Sequence, residues 1–162
     1  MEILTGENIL LLGSILLIAG VLIGKTSYRT GLPLLLVFLL VGIWKLATWN
    51  GGTELAEGSY VYVELSYRDG NTFTIYQNLD SFGPRRITGS YSLYTDDALG
   101  AVIRGMYDYE NGDWASRYVI RDLYEDRMTW IAVGDETNVS EYVRCEAVPE
   151  EILLQFGGAE EE

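Results

Sequence analysis

From Gly42 onward the chain alternates between apolar and polar residues, and it breaks that alternation only at clusters of turn-forming residues. In Tyr60–Tyr67, Val61, Val63 and Leu65 fall on one side of an extended strand, with Tyr60, Tyr62, Glu64 and Ser66 on the other. That is the period of a strand with one buried face. The same reading gives eight strands, near Ile43–Trp49, Tyr60–Tyr67, Thr72–Gln77, Arg86–Tyr94, Ala98–Tyr107, Ala115–Arg121, Arg127–Val133 and Val139–Glu146. Arg68-Asp-Gly-Asn71 and Glu110-Asn-Gly-Asp113 have hairpin-turn composition, because Asn and Gly tolerate positive φ. Asp122–Asp126 and Gly134–Asn138 supply further polar breaks. Strands joined by turns this short pair antiparallel. The expected fold class is therefore mainly β, an eight-stranded antiparallel up-and-down barrel or a sandwich.

The first 41 residues have a different composition. Their only charges are Glu2, Glu7, Lys25 and Arg29, which sum to zero, so residues 42–162 carry the entire net charge of −13. Every tyrosine except Tyr28, and all four tryptophans, also follow residue 41. Asn8–Gly24 is uncharged and as a helix would span roughly 25 Å, at the short end of what crosses a bilayer core. After Lys25–Gly31 a second apolar run, Leu32–Val41, begins with Pro33 at a first helical turn. It would cover only about 15 Å as helix, and spans comfortably only if it continues past Trp44. The expected organisation is an N-terminal helical membrane hairpin over residues 1–41, a β-domain over 42–150 and an acidic C-terminal tail over 151–162. A buried hairpin in a soluble protein is the competing reading, but little in the β-domain has the apolar surface to cover it. A cleaved signal peptide would need a basic start, and here the start is acidic. Basic loops remain cytoplasmic, so a two-pass hairpin turning at Lys25 and Arg29 places Met1 and the acidic domain on the outer face.

Several chemistries are excluded by what the chain lacks. With no histidine it cannot build a Ser-His-Asp triad, a Cys-His pair or a histidine-ligated zinc site. With one cysteine it has no intramolecular disulfide. A charge of −13 does not suit nucleic acid. The acidic clusters Asp96-Asp97, Asp108-Tyr-Glu110, Glu125-Asp126 and Asp135-Glu136 fall at expected turns without calcium-loop spacing. Cys145 reads as a core thiol. No enzymatic activity, metal or cofactor is expected; the composition suits a binding or structural module.

The aromatic residues are the candidates for binding. Tyr62, Tyr76, Tyr91, Tyr107, Trp114, Tyr118, Trp130 and Tyr142 recur along most strands and can line a cavity for a small hydrophobic or amphipathic ligand. Aromatic residues are also good strand formers and pack on outer faces. Eight strands enclose just enough room for side chains or one small ligand, so a purely structural filled barrel is the rival.

Two segments resemble known families. Glu7-Asn-Ile-Leu-Leu-Leu-Gly-Ser14, Gly24-Lys-Thr-Ser-Tyr-Arg-Thr-Gly-Leu-Pro33 and Leu39-Leu-Val-Gly42 resemble the N-terminus of bacterial monovalent cation (potassium)/proton antiporters. That resemblance implies membrane insertion. It also leaves a transport-related fragment or fusion as an alternative, although neither apolar run carries the carboxylate an ion path needs. Gly42-Ile-Trp44 is similar to the Gly-x-Trp opening of lipocalins. With Trp44–Gly51, Asn71–Gln77, Thr88–Tyr91, Gly105–Tyr107, Trp114–Tyr118, Met128-Thr129 and Tyr142–Arg144, residues 42–150 resemble the small lipocalin-like domains of Bacteroides-type envelope lipoproteins. The resemblance implies a lipocalin-like barrel in which Arg144 covers Trp44 where the first and last strands close. It also implies a membrane-tethered protein of a bacterial envelope, binding a small ligand or an envelope partner. Its barrel would face the periplasm from the inner membrane, or belong to the outer membrane. The sequence assigns no oligomeric state.

Overall fold

The structure is a computed structural model and describes residues 34–68, 70–79, 83–109 and 112–157. Among the described residues nine strands form one antiparallel sheet, β1 Gly42–Trp49, β2 Thr53–Glu54, β3 Tyr60–Ser66, β4 Thr72–Asn78, β5 Arg85–Asp96, β6 Gly100–Tyr107, β7 Tyr118–Arg121, β8 Arg127–Ala132 and β9 Val139–Cys145. Each strand from β3 to β9 pairs with its sequence neighbour, and β9 returns to pair with β1. The eight long strands are thus a closed barrel; β2 is a two-residue addition to the far end of β1. A short helix α1, Leu34–Leu40, precedes the barrel, and another, α2, Glu150–Leu153, follows it. The membrane hairpin expected over residues 1–41 lies, up to residue 33, outside the described residues. No helix among the described residues is long and apolar enough to cross a membrane.

Seven of the expected strands lie within two residues of the observed ones at the ends where alternation is clear, but the boundaries of β5, β6 and β7 differ. β5 runs two residues further, to Asp96, whose carboxylate Oδ1 accepts from the backbone N–H groups of Ala98 and Leu99 in the turn into β6. β7 begins only at Tyr118. The residues before it turn back on β6 instead, with the Trp114 N–H donating to the Gly105 carbonyl at 2.9 Å.

Alternation decides what fills the barrel. Trp44, Leu46, Val61, Val63, Leu65, Phe73, Tyr91, Ile103, Trp114, Ile120, Met128, Trp130 and Tyr142 form one buried cluster with Leu40. Two strand glycines make room for its rings. A Cβ at Gly89 would collide with the Phe73 ring, and one at Gly105 with the Trp114 indole. Glycine in a strand interior costs stability by itself, and here it lets two large aromatic rings lie against the backbone of the neighbouring strand, Phe73 on its register partner Gly89 and Trp114 on Gly105.

The antiparallel order puts α1 and the β3–β4, β5–β6 and β7–β8 turns at one end of the barrel, and the β1–β3, β4–β5, β6–β7 and β8–β9 connections at the other. At the α1 end, Leu40 is fully buried beneath Trp44 and closes the interior. Burying one leucine side chain contributes about 1.5–3 kcal/mol. β1 begins at Gly42, immediately after this plug, so the junction Val41-Gly42 belongs to the barrel.

Candidate functional site

The seam between β1 and β9 is built from Gly42, Trp44 and Arg144. The register sets Trp44 opposite Arg144, and the guanidinium carbon lies 4.2 Å from the indole ring centre. Arg144 donates from Nη1 to the Val41 carbonyl at 2.9 Å, from Nη2 to the Leu39 carbonyl, and from Nε to the Glu125 carbonyl. The Trp44 indole N–H donates to the Leu40 carbonyl at 2.8 Å. One arginine therefore ties the end of α1 and the β7–β8 turn to the seam, supplying donors to helix-end carbonyls that have no intrahelical partner. Gly42 is required beside it, because its φ is +141° and a Cβ there would run into Nη1 of Arg144. Desolvation lowers the Arg144 pKa, and the nearby Glu125 carboxylate opposes that shift.

The structure divides the aromatic residues singled out from the sequence, and it turns the Tyr91 hydroxyl toward the α1 end, where it donates to the Ser66 carbonyl at 3.2 Å. Tyr91, Trp114 and Trp130 are buried in the interior cluster, with Tyr107 and Tyr118 half-buried against it. Tyr62 and Tyr76 are not in the interior. They face each other across β3 and β4 on the outside of the sheet, in a second cluster with Val148 and Ile152. The reason is the strand period: Tyr62 lies between the inward Val61 and Val63, so it must point outward. Cys145 is likewise half-buried against that outer cluster, not in the core. The residues following β9, including α2, fold back over this face, and the Tyr60 hydroxyl and Gln155 Oε1 lie 3.1 Å apart.

Inside, the rings form a continuous chain. Phe73 meets Trp114 at 5.1 Å between ring centres, Trp114 meets Trp130 at 5.5 Å, and Trp130 meets Tyr142 at 4.9 Å. Tyr118 closes on both tryptophans at 6.0 and 5.7 Å. Phe73 belongs to this chain although the alternation of its strand does not single it out, and Tyr142 joins it from β9. The strand glycines Gly89 and Gly105 were the available signal for such close approach. Burial raises the pKa values of Tyr107 and Tyr118, with Tyr109 and Tyr118 adding to the shift at Tyr107. Tyr142 is raised furthest, by burial first and then by Tyr118, against a lowering hydrogen bond with Ser140. These phenols stay neutral over the physiological range and act as dipoles and apolar surface.

Two atoms in this chain lack what their surroundings should provide. Trp114 and Trp130 are only 9% and 4% exposed, yet neither indole Nε1–H has a hydrogen-bond acceptor. Leaving a buried donor unmade costs about 1–3 kcal/mol, and most buried polar groups avoid it. The contrast with Trp44, whose N–H is paired, is internal to the same barrel. Trp114 enters from the β6–β7 connection, and half-buried Trp49, Leu55, Leu79, Tyr107 and Tyr118 pack against the same cluster. The arrangement offers two donors in an apolar, aromatic setting. That can orient an acceptor-bearing flat molecule.

Among the described residues no group of three or more acidic, histidine or cysteine side chains is placed to hold a metal ion. The acidic turn residues are occupied locally: Asp135 is held below its ordinary pKa chiefly by the Thr137 side-chain and backbone hydrogen bonds, with a smaller backbone contribution from Asn138. The turn residues Asp69, Glu110 and Asn111 lie outside the described residues. The chain matches no protein-family model, no curated protein and no solved structure.

Proposed function

We propose that this chain is a membrane-tethered, lipocalin-like barrel of a bacterial envelope that binds one small, flat, largely apolar molecule at its aromatic end. The observation that carries the reading is the pair of buried indole donors, on Trp114 and Trp130, without acceptors. A ligand carbonyl or ether oxygen would satisfy one or both, while its apolar body displaces Tyr118 and packs on the surrounding rings. The net charge of −13 favours a neutral or cationic ligand over an anionic one. The Gly-x-Trp opening and the Arg144–Trp44 seam support the lipocalin-like character, and the uncharged Asn8–Gly24 run supports the tether.

A second reading has its own support. The interior rings already touch one another, and Trp44, Phe73, Leu65, Ile103 and Met128 are among the most deeply buried side chains. A barrel filled in this way can be structural, working through its outer surface on an envelope partner. The potassium/proton antiporter alternative rests on the N-terminal residues alone.

The test uses the full chain in lipid nanodiscs, labelled with 15N at the tryptophan indoles. It is titrated with prodan, a neutral naphthalene whose only strong acceptor is a ketone. Saturable shifts of the Trp114 and Trp130 Nε1–H resonances, with Trp44 unmoved, the shifts retained in Tyr118→Ala and the Trp130 shift weakened in Trp114→Phe, support the binding reading. Resonances unchanged at saturating probe would leave the filled, structural barrel as the better account.

A further inference from the structure

At the end of the barrel opposite the aromatic site, α1 and the β3–β4 turn expose a group of apolar side chains. Leu35 is 68% exposed, Phe38 69% and Tyr67 62%. Phe38 and Tyr67 line an open groove of about 680 Å³, together with Val37, Val41, Ile43 and Arg68 among others. Single exposed apolar residues are ordinary, whereas a contiguous group with large side chains marks a contact surface.

The same end fixes where α1 can be. Its last residue, Leu40, is fully buried in the barrel. Trp44 holds the Leu40 carbonyl, and Arg144 holds those of Leu39 and Val41. Residues 39–41 are therefore part of the barrel floor and are not available to a bilayer. What remains of the second apolar run, up to Phe38, would rise only roughly 10 Å as a helix, against a hydrocarbon core of about 30 Å. A stretch that short cannot cross. Of the two apolar runs, only Asn8–Gly24 has the length to span.

We infer that α1 lies at the membrane surface instead of crossing it, and that the α1 end of the barrel, through Leu35, Phe38 and Tyr67, rests in the headgroup region of the bilayer. The inference rests on the membrane-tethered reading above and replaces the two-pass hairpin with a single crossing. The occupant of this surface is lipid because the exposed side chains sit on the segment that leads directly to the spanning run. A single crossing puts the loop holding Lys25 and Arg29 on the same face of the membrane as the barrel. Basic loops remain cytoplasmic, so the barrel lies on the cytoplasmic face, opposite to what a hairpin implies. The contact is apolar in character. Glu64 and Glu146 balance Arg68 and Arg144 along the groove and the chain as a whole is strongly acidic, so anionic lipid gives no gain.

The experiment uses the full chain with Cys145→Ser, reconstituted in phosphatidylcholine vesicles. Nitroxide labels are placed singly on Leu35→Cys, Phe38→Cys and Tyr67→Cys. Met106→Cys, at an exposed apolar position (54% exposed) on the outside of β6, is the control. The labels at 35, 38 and 67 are expected to be open to oxygen and at least fivefold less open than the control to a water-soluble nickel chelate. Replacing half the lipid by phosphatidylglycerol is expected to leave those values unchanged. Tyr67 is decisive because it belongs to the barrel and not to α1. High nickel accessibility at 67 overturns the inference in favour of a rim in water. Low accessibility to both reagents overturns it in favour of a protein contact, such as a second copy. Extraction of the chain by alkaline carbonate instead overturns the membrane-tethered reading itself. In intact cells, Thr26→Cys and Met106→Cys are expected to be shielded together from an impermeant maleimide. Labelling at 106 with shielding at 26 would restore the two-pass arrangement and overturn the single crossing.

Discussion

Removing the guanidinium at the seam tests how the barrel is held shut. Arg144 donates to three backbone carbonyls, on Leu39, Val41 and Glu125, and stacks over Trp44 at 4.2 Å. A hydrogen bond from a charged donor is worth about 1.5–3 kcal/mol when well buried. Arg144 is only half-buried, so each of its three belongs at or below the bottom of that range. The stacked indole adds about 0.5–2 kcal/mol. Because these contacts share one side chain they do not sum fully, and Arg144→Ala is expected to cost about 3–4 kcal/mol. That is a large share of the 5–15 kcal/mol that holds a typical domain together, and would lower a urea midpoint by roughly 2 M. Arg144→Lys keeps one charged donor but loses the planar fork, and is expected to cost about half as much. The assay is urea unfolding in detergent micelles, followed by near-ultraviolet circular dichroism. In a double-mutant cycle with Trp44→Leu, a coupling of about 1 kcal/mol is expected. A change below about 0.5 kcal/mol in Arg144→Ala, or a lysine variant equal to the parent, would refute the seam as a source of stability.

Gly105→Ala forces its Cβ into the Trp114 indole, and overpacking of this kind is expected to cost about 1–3 kcal/mol with a shift in tryptophan emission. Unchanged stability and emission would show that the indole does not lie on Gly105. Burial pushes the Tyr91 phenol up to about 12, with Tyr67 adding to the shift. The folded state then holds a proton that the unfolded chain releases near pH 10, so stability is complete below pH 10 and falls as pH rises from 10 to 12. Combined absorbance titration and unfolding should show tyrosinate appearing with loss of structure, and Tyr91→Phe should flatten part of that fall. Ile152 is buried on the outer face against Tyr62 and Tyr76; Ile152→Ala is expected to cost about 2 kcal/mol in urea unfolding while leaving the prodan response of the Trp114 and Trp130 resonances intact.

The barrel was legible in the sequence because alternation and turn composition are local signals, and in β3 they carry nearly the whole assignment. The two-residue β2 has no such signal, and it exists only because β1 offers it a partner. The late start of β7 was not legible either. Trp114 leaves the strand pattern to enter the barrel, a tertiary effect that composition does not encode. Assigning Tyr62 and Tyr76 to a common cavity with Trp114 treated aromatic content as equivalent to position; the pleat that puts Val61 and Val63 inside puts Tyr62 outside. The acidic stretch after residue 150 hides Ile152 and Phe156, whose apolar contacts hold it on the sheet. The pairing of Trp44 with Arg144 follows from no local pattern, since they stand far apart in sequence; it is anticipated through the lipocalin resemblance and the closure of the last strand on the first.

Closure of the sheet underlies every statement about interior, ends and seam. Ile43 and Cys145 are direct partners across β1 and β9, and paired Cα atoms in an antiparallel ladder lie within the span a disulfide can bridge. Ile43→Cys is therefore expected to form an intramolecular disulfide with the native Cys145 under mild oxidation, in monomeric protein and with the fold retained. Two free thiols under those conditions, or linkage only between chains, would mean that the first and last strands do not meet and that the barrel is open.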